Sequence, residues 1–173
     1  MNRAVQVYLA GLRPDLLGQE DLRRVAEIRA FALNLESAGD VLDRSLARVA
    51  AKWAKDGVRL DAAMMDAIQA MHVRGLEQLQ LAIAAFMRGD VAAARQLIEE
   101  KERMRVEEAE AAQSFSLATE PGAIATRGVL LEVVRDLKRV GGHLAATAHP
   151  LLERIGALRP SRLTDAEDGL TPA

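Results

Sequence analysis

Five clusters of helix-breaking residues, with long uninterrupted stretches between them, limit this chain more than any other feature. They are Arg13-Pro14, Lys55-Asp56-Gly57, Arg88-Gly89-Asp90, Glu120-Pro121-Gly122 and Arg159-Pro160. Glycine and proline punctuate local structure because one tolerates φ > 0 and the other lacks an N–H. The spacing predicts a short helix over Asn2–Leu12 and four long ones over Gln19–Lys55, Asp61–Arg88, Asp90–Ala118 and Gly122–Gly156. Asp61 and Asp90 stand where N-caps are wanted, and Gly57 and Gly89 where a left-handed C-terminal residue costs least. Loops this short make neighbouring helices run antiparallel, so the expected fold is an all-α antiparallel helical bundle.

Composition agrees with helices. Aromatic residues make up 3% of the 173 positions and half the chain is apolar, enough for one domain with a core. The 23 basic and 25 acidic side chains are interspersed, with a formal net charge of −2, which argues against nucleic-acid binding because phosphate neutralisation needs a basic excess on one face. The absence of cysteine excludes thiol chemistry, disulfides and cysteine-ligated zinc. The most apolar window, Leu81–Met87, falls far short of the roughly 18 residues of a membrane span. This predicts a soluble polypeptide.

Two helices carry apolar seams. In the second, Val25, Ile28, Ala32, Leu35, Gly39, Leu42, Leu46, Val49 and Trp53 recur at spacings of three and four. In the last, Leu130, Val134, Leu137, Gly141, Leu144, Ala148, Leu151 and Ile155 do the same. Leu35–Asp43 and Leu137–Ala145 align without a gap as leucine, glycine, leucine, which reads as a diverged internal repeat. Glycine on a seam costs helix stability, and close approach of another helix would offset that cost. Both glycines are therefore expected to be packing notches.

The first copy alone bears carboxylates. Glu36, Asp40 and Asp43 lie at i, i+4 and i+7, a stripe of hard oxygen ligands suited to iron, manganese, magnesium or calcium. The plainer alternative is a solvated flank on which Asp40 pairs with Arg44. Lys138, Gly142 and Ala145 occupy the equivalent places in the second copy. A ferritin-like di-iron enzyme would need Glu-x-x-His, and the sequence has none. His72 is placed near the apolar face of its helix, and His143 and His149 in the last helix are read as packed or capping residues. The charge-alternating run Ile98–Glu110, with Glu99 and Arg103 at i, i+4, has the pattern of an exposed face, and Met64, Met65, Met71, Met87 and Met104 are read as core or seam fillers. No nucleophilic triad spacing or phosphate-binding glycine loop occurs, so no catalytic residue is assigned.

The segments LESAGDVLDR and RDLKRVGGHLAATAHPLL, with the hairpin from Asp61 to Arg105 between them, resemble the PhoU-like cytosolic domain found behind the membrane part of bacterial sodium/phosphate cotransporters. The resemblance runs from about Val5 to Ile155. It implies two three-helix repeats whose last helices carry a Glu-x-x-x-Asp metal motif, matched here by Glu36 and Asp40. Asp43 falls at a position often acidic or amide, and Glu100 where the second repeat's middle helix offers a carboxylate. The metal set implied is thus Glu36, Asp40, Asp43 and Glu100, for a divalent or ferric ion.

By the same resemblance, residues 1–158 form the bundle, with a truncated first repeat at 1–57, a second repeat at 58–158 and a disordered tail at 159–173. The implied role is a non-enzymatic regulatory or interaction domain in phosphate uptake or homeostasis. It would dock on the membrane part of a phosphate transporter at the inner face of the plasma membrane and bury its exposed seam by homo-oligomerisation. The alternatives are a carboxylate-bridged metal-binding bundle and a purely structural helical adaptor.

Overall fold

A computed structural model describes residues 2–57, 60–116 and 121–157. The expected tail, 159–173, lies outside the described residues. In chain order the elements are α1 (Asn2–Ala10), a 3-10 turn (Pro14–Leu16), α2 (Gln19–Asp40), a π-helical segment (Val41–Leu46), α3 (Ala47–Asp56), α4 (Ala62–Arg88), α5 (Val91–Ser116), α6 (Pro121–Ala146) and α7 (His149–Arg154). No strand occurs among the described residues, so the all-α bundle expected from the sequence is the architecture found. Nor, among them, is any helix long and apolar enough to cross a membrane.

The helix ends are made as their residues dictate. The Asp61 carboxylate accepts a hydrogen bond from the Met64 N–H at 2.8 Å, and that of Asp90 accepts one from the Ala93 N–H at 3.0 Å. Each satisfies a first-turn donor that has no partner within its own helix. Gly57 and Gly89 terminate α3 and α4 with φ of 62° and 64°, which a side chain would strain. The expected continuous helix to Gly156 is instead interrupted at Thr147–Ala148. Pro150 explains the break, since its ring would clash with the carbonyl four residues earlier and it has no N–H to donate. It sits in the first turn of α7, where both defects are harmless.

α4, α5 and α6 pack on one another as a three-helix unit; α2 lies along α6, α1 against α2, and α7 against α5. The core has two chemically different parts. Around Leu97 and Leu144 it is built largely from alanine, with Ala38, Ala82, Ala85, Ala94 and Ala148 all buried, so the helices approach closely. Further along, the core is made of larger side chains, Val49, Met71, Met104, Val133 and Leu137. At the outer end of the alanine-rich part, Phe31 of α2 stacks on Phe86 of α4 with centroids 3.9 Å apart, and the Arg24 guanidinium lies 4.5 Å from the Phe86 centroid. This clasp fixes α2 to the three-helix unit at one end.

The seam of α2 departs from its predicted register. Ala38 and Val41 are buried, whereas Gly39 is exposed and Leu42 is 48% exposed. A regular helix continuing from Ala38 and Val41 would next turn Ser45, Arg48 and Lys52 inward. The π-helical segment, with its wider turn, lets the inward stripe resume one residue later, at Leu46, Val49 and Trp53. Ser45, Arg48 and Lys52 are thereby left at the edge of the packed stripe, beside α6.

Other expectations are corrected by burial. Among the described residues nothing lies within 4 Å of where a Cβ on Gly39 would stand, so it is not a packing notch. His72 is exposed rather than on the apolar face, and Met65 and Met87 are exposed rather than fillers, while Met71 and Met104 are core. The run on α5 is not wholly a solvent face: Glu100 and Met104 are buried, and Arg103 pairs with Glu100 rather than with Glu99.

Candidate functional site

The four carboxylates singled out from the sequence do not come together. Glu36 and Asp40, in the last turn and a half of α2, and Asp43, in the π segment, are all exposed. Asp40 lies 3.5 Å from Arg44, the i, i+4 pairing expected of a solvated flank. Glu100 is buried on α5, with Oε1 held 2.5 Å from Arg103 and Oε2 lacking a hydrogen-bond partner among the described residues. Among the described residues no three histidine, aspartate or glutamate side chains are grouped so as to hold a metal ion. As a self-contained ion shell the set does not fit; Glu36, Asp40 and Asp43 form an acidic edge.

In the second copy, Lys138 stands where Glu36 would, and Glu108 of α5 holds it with a 2.7 Å ion pair that Arg135 joins at 3.3 Å. These two cations, the Lys138 hydrogen bond foremost, hold the Glu108 carboxyl below the ordinary carboxylate range. Gly141 is a true notch. A Cβ there would stand 2.4 Å from Met104 Sδ and 2.8 Å from Gln78 Oε1. Gln78 is buried, donates its Nε2–H to Met104 Sδ at 3.2 Å, and has an Oε1 without a hydrogen-bond partner among the described residues.

The structure assembles another feature that the sequence reading passed over. A groove of about 500 Å³ opens between α3 and α6, with Ser45, Arg48 and Lys52 on one wall and Glu132, Arg135 and Arg139 on the other. It shares Ser45, Arg48 and Arg139 with an adjoining concavity of about 390 Å³, which adds Asp40, Arg44 and His143. Most of the charges are tied: Arg44 to Asp40, Lys52 to Glu132 at 3.5 Å across the groove, Arg135 to Glu108, and Arg139 to Asp136 at 3.2 Å. Arg48 donates to the Ser45 hydroxyl at 3.2 Å and, among the described residues, has no carboxylate partner.

A signal was available. Arg44, Arg48 and Lys52 recur every four residues, as do Arg135, Arg139 and His143. Each stripe alone looks like a solvated helix flank; their facing one another is a tertiary fact.

The fold is all-α, and residues 68–149 match the family described as the PhoU domain. That segment falls inside the second repeat expected at 58–158. Among curated relatives, the chain is 31% identical over 158 residues to the protein of Salmonella typhimurium named "Putative inorganic phosphate export protein YjbB", and 30% identical over 160 residues to the protein of that name in Escherichia coli K12. Each alignment covers 87% of this chain and 28% of the relative, so the chain corresponds to little more than a quarter of those proteins. No solved structure matches the chain.

Proposed function

We propose that this chain is a non-enzymatic, PhoU-like regulatory or interaction domain that acts with a phosphate transporter at the inner face of the plasma membrane. The observation that carries this reading is the coincidence of the PhoU match over residues 68–149 with relatives named for inorganic phosphate export. That name concerns the export direction, so phosphate movement is the shared content, and a sodium-coupled carrier is the specific partner assigned here from the resemblance of LESAGDVLDR and RDLKRVGGHL. The acidic edge of Glu36, Asp40 and Asp43 supports a contact with a partner that supplies complementary groups. Exposed apolar side chains support a covered surface as well: Val7 and Tyr8 on α1 and Leu76, Ile83 and Met87 on α4 are all open to solvent. A second copy of the chain or the transporter would bury them.

The test is affinity capture from membranes of cells that carry the transporter, with wild type compared against Glu36→Ala plus Asp40→Ala, alongside phosphate flux in cells with and without the chain. The expected outcome is transporter retained on wild type, at least about fivefold less on the double variant, roughly the loss of 1 kcal/mol, and an altered phosphate flux. Equal retention of transporter by both proteins would leave a structural adaptor in place of an acidic-edge contact. No transporter captured and unchanged flux would remove the reading.

A further inference from the structure

We infer that the groove between the π-helical segment, α3 and α6 is a binding site for a small tetrahedral oxyanion, with inorganic phosphate as its ligand. Net charge makes the first point. The chain as a whole is formally −2, yet the two joined concavities are lined by five arginine and lysine side chains against three carboxylates, and with Glu108 holding Arg135 from outside the lining the cation left in excess is Arg48. A concave, partly desolvated surface with a local excess of one sign concentrates counter-ions of the other.

Donor geometry makes the second. Among the described residues Arg48 presents a guanidinium engaged only by the neutral Ser45 hydroxyl, which leaves its remaining N–H groups for a charged acceptor. Arg139 opposes it from α6; one of its nitrogens is used on Asp136, and its side chain is 60% exposed toward the groove and solvent. Two guanidinium forks on facing helices, a hydroxyl between the turns and the half-buried His143 imidazole match the donors that phosphate recruits.

The third point is how the site is built. Without the π-helical segment, Ser45, Arg48 and Lys52 would continue the stripe of Ala38 and Val41 into the core, where unpaired cations are not tolerated. The wider turn lets Val49 take that inward place and leaves the polar residues on the groove wall. π-helical turns cost stability and recur at functional sites, and here one separates a buried stripe from a row of anion donors. The oxyanion class follows from the groove; phosphate as the particular ligand rests on the function proposed above.

The experiment is calorimetric titration of the purified chain with sodium phosphate and, separately, sodium sulfate, at matched ionic strength near physiological. The proteins are wild type, Arg48→Ala plus Arg139→Ala, Ser45→Ala plus Arg48→Lys, and Arg105→Ala as a control on α5. Saturable phosphate binding is expected in wild type and in the control. The double-alanine protein should bind about tenfold or more weakly, and Ser45→Ala plus Arg48→Lys should fall between, because lysine keeps the charge without the fork. Circular dichroism should be unchanged, but Arg139→Ala deprives the buried Asp136 carboxylate of its partner and should lower the melting temperature of the alanine pair, so the milder pair, which keeps Arg139, keeps the test informative. Absence of saturation in wild type, or equal binding by wild type and the double-alanine protein, would overturn the site. Sulfate bound as tightly as phosphate would support the oxyanion site while counting against the phosphate reading, so the two can fail separately.

Discussion

The helices around Gly39 and Gly141 share a local sequence frame and differ in almost everything that frame does. On α6, Gly141 is buried against Met104 and Gln78, and the positions beside it are stitched to α5 by the Lys138–Glu108 pair. On α2, Gly39 faces open space, its flanking carboxylates face solvent, and a π-helical turn follows at once. The three-helix unit uses its glycine for packing; the N-terminal layer uses its irregularity to set a groove. Identical spacing of leucine, glycine and leucine therefore does not report identical packing, because burial depends on which neighbours the rest of the chain delivers.

Substituting the two glycines should separate these roles most sharply. Gly141→Ala is expected to destabilise by about 1–3 kcal/mol in urea unfolding, since Met104 Sδ and Gln78 Oε1 must move inside a filled core. Replacing Met104 with alanine in the same chain should recover part of the clash while adding its own cavity cost. A neutral Gly141→Ala would show that Gly141, like Gly39, has room for a side chain. Gly39→Ala should do the opposite, stabilising by up to about 1 kcal/mol, because alanine is the better helix former and finds no neighbour to strike. A loss of stability there would mean that this surface is covered in solution.

The smallest effect concerns the stitching between α5 and α6. Glu108 is held ionised by Lys138 and Arg135, so its folded-state pKa lies below its unfolded value. Its contribution is present above the ordinary carboxylate pKa of about 4.3 and is lost as pH falls through the depressed folded value. Glu108→Gln should cost under about 1 kcal/mol at neutral pH, as befits a partly exposed pair. The gap between wild type and the variant should close toward pH 3 in parallel chemical denaturations. A gap that stays constant across that range would place the effect of the substitution in packing instead.

Much of the fold was legible because its signals are local. The aspartate caps of α4 and α5, the left-handed glycines after α3 and α4, and the lengths of the long helices each depend on a few adjacent residues. The register of α2 was not, because Ala38 and Gly39, and Val41 and Leu42, are neighbouring pairs that suit a seam equally well by composition. Only contact with α6 decides between them. The break before α7 was missed, although Pro150 carried its signal, because the apolar pattern continues on either side of it. Of the four carboxylates, three form the exposed edge that an acidic stripe can equally be, and Glu100 is turned inward onto Arg103, which spacing alone does not reveal. The basic groove needed two helices distant in sequence to be set face to face.

One peptide unit, the extra residue accommodated between Val41 and Leu46, governs the angular phase of everything that precedes it relative to α3. At 3.6 residues per turn, removing it would swing the two halves of that long rod by roughly 100° about their common axis. Since α2 is anchored at its middle by the Phe31–Phe86 stack and α3 by Val49 and Trp53, the rod cannot satisfy both anchors as an unbroken α-helix. The irregular turn is the mechanical joint that lets two incompatible attachments coexist on one continuous backbone.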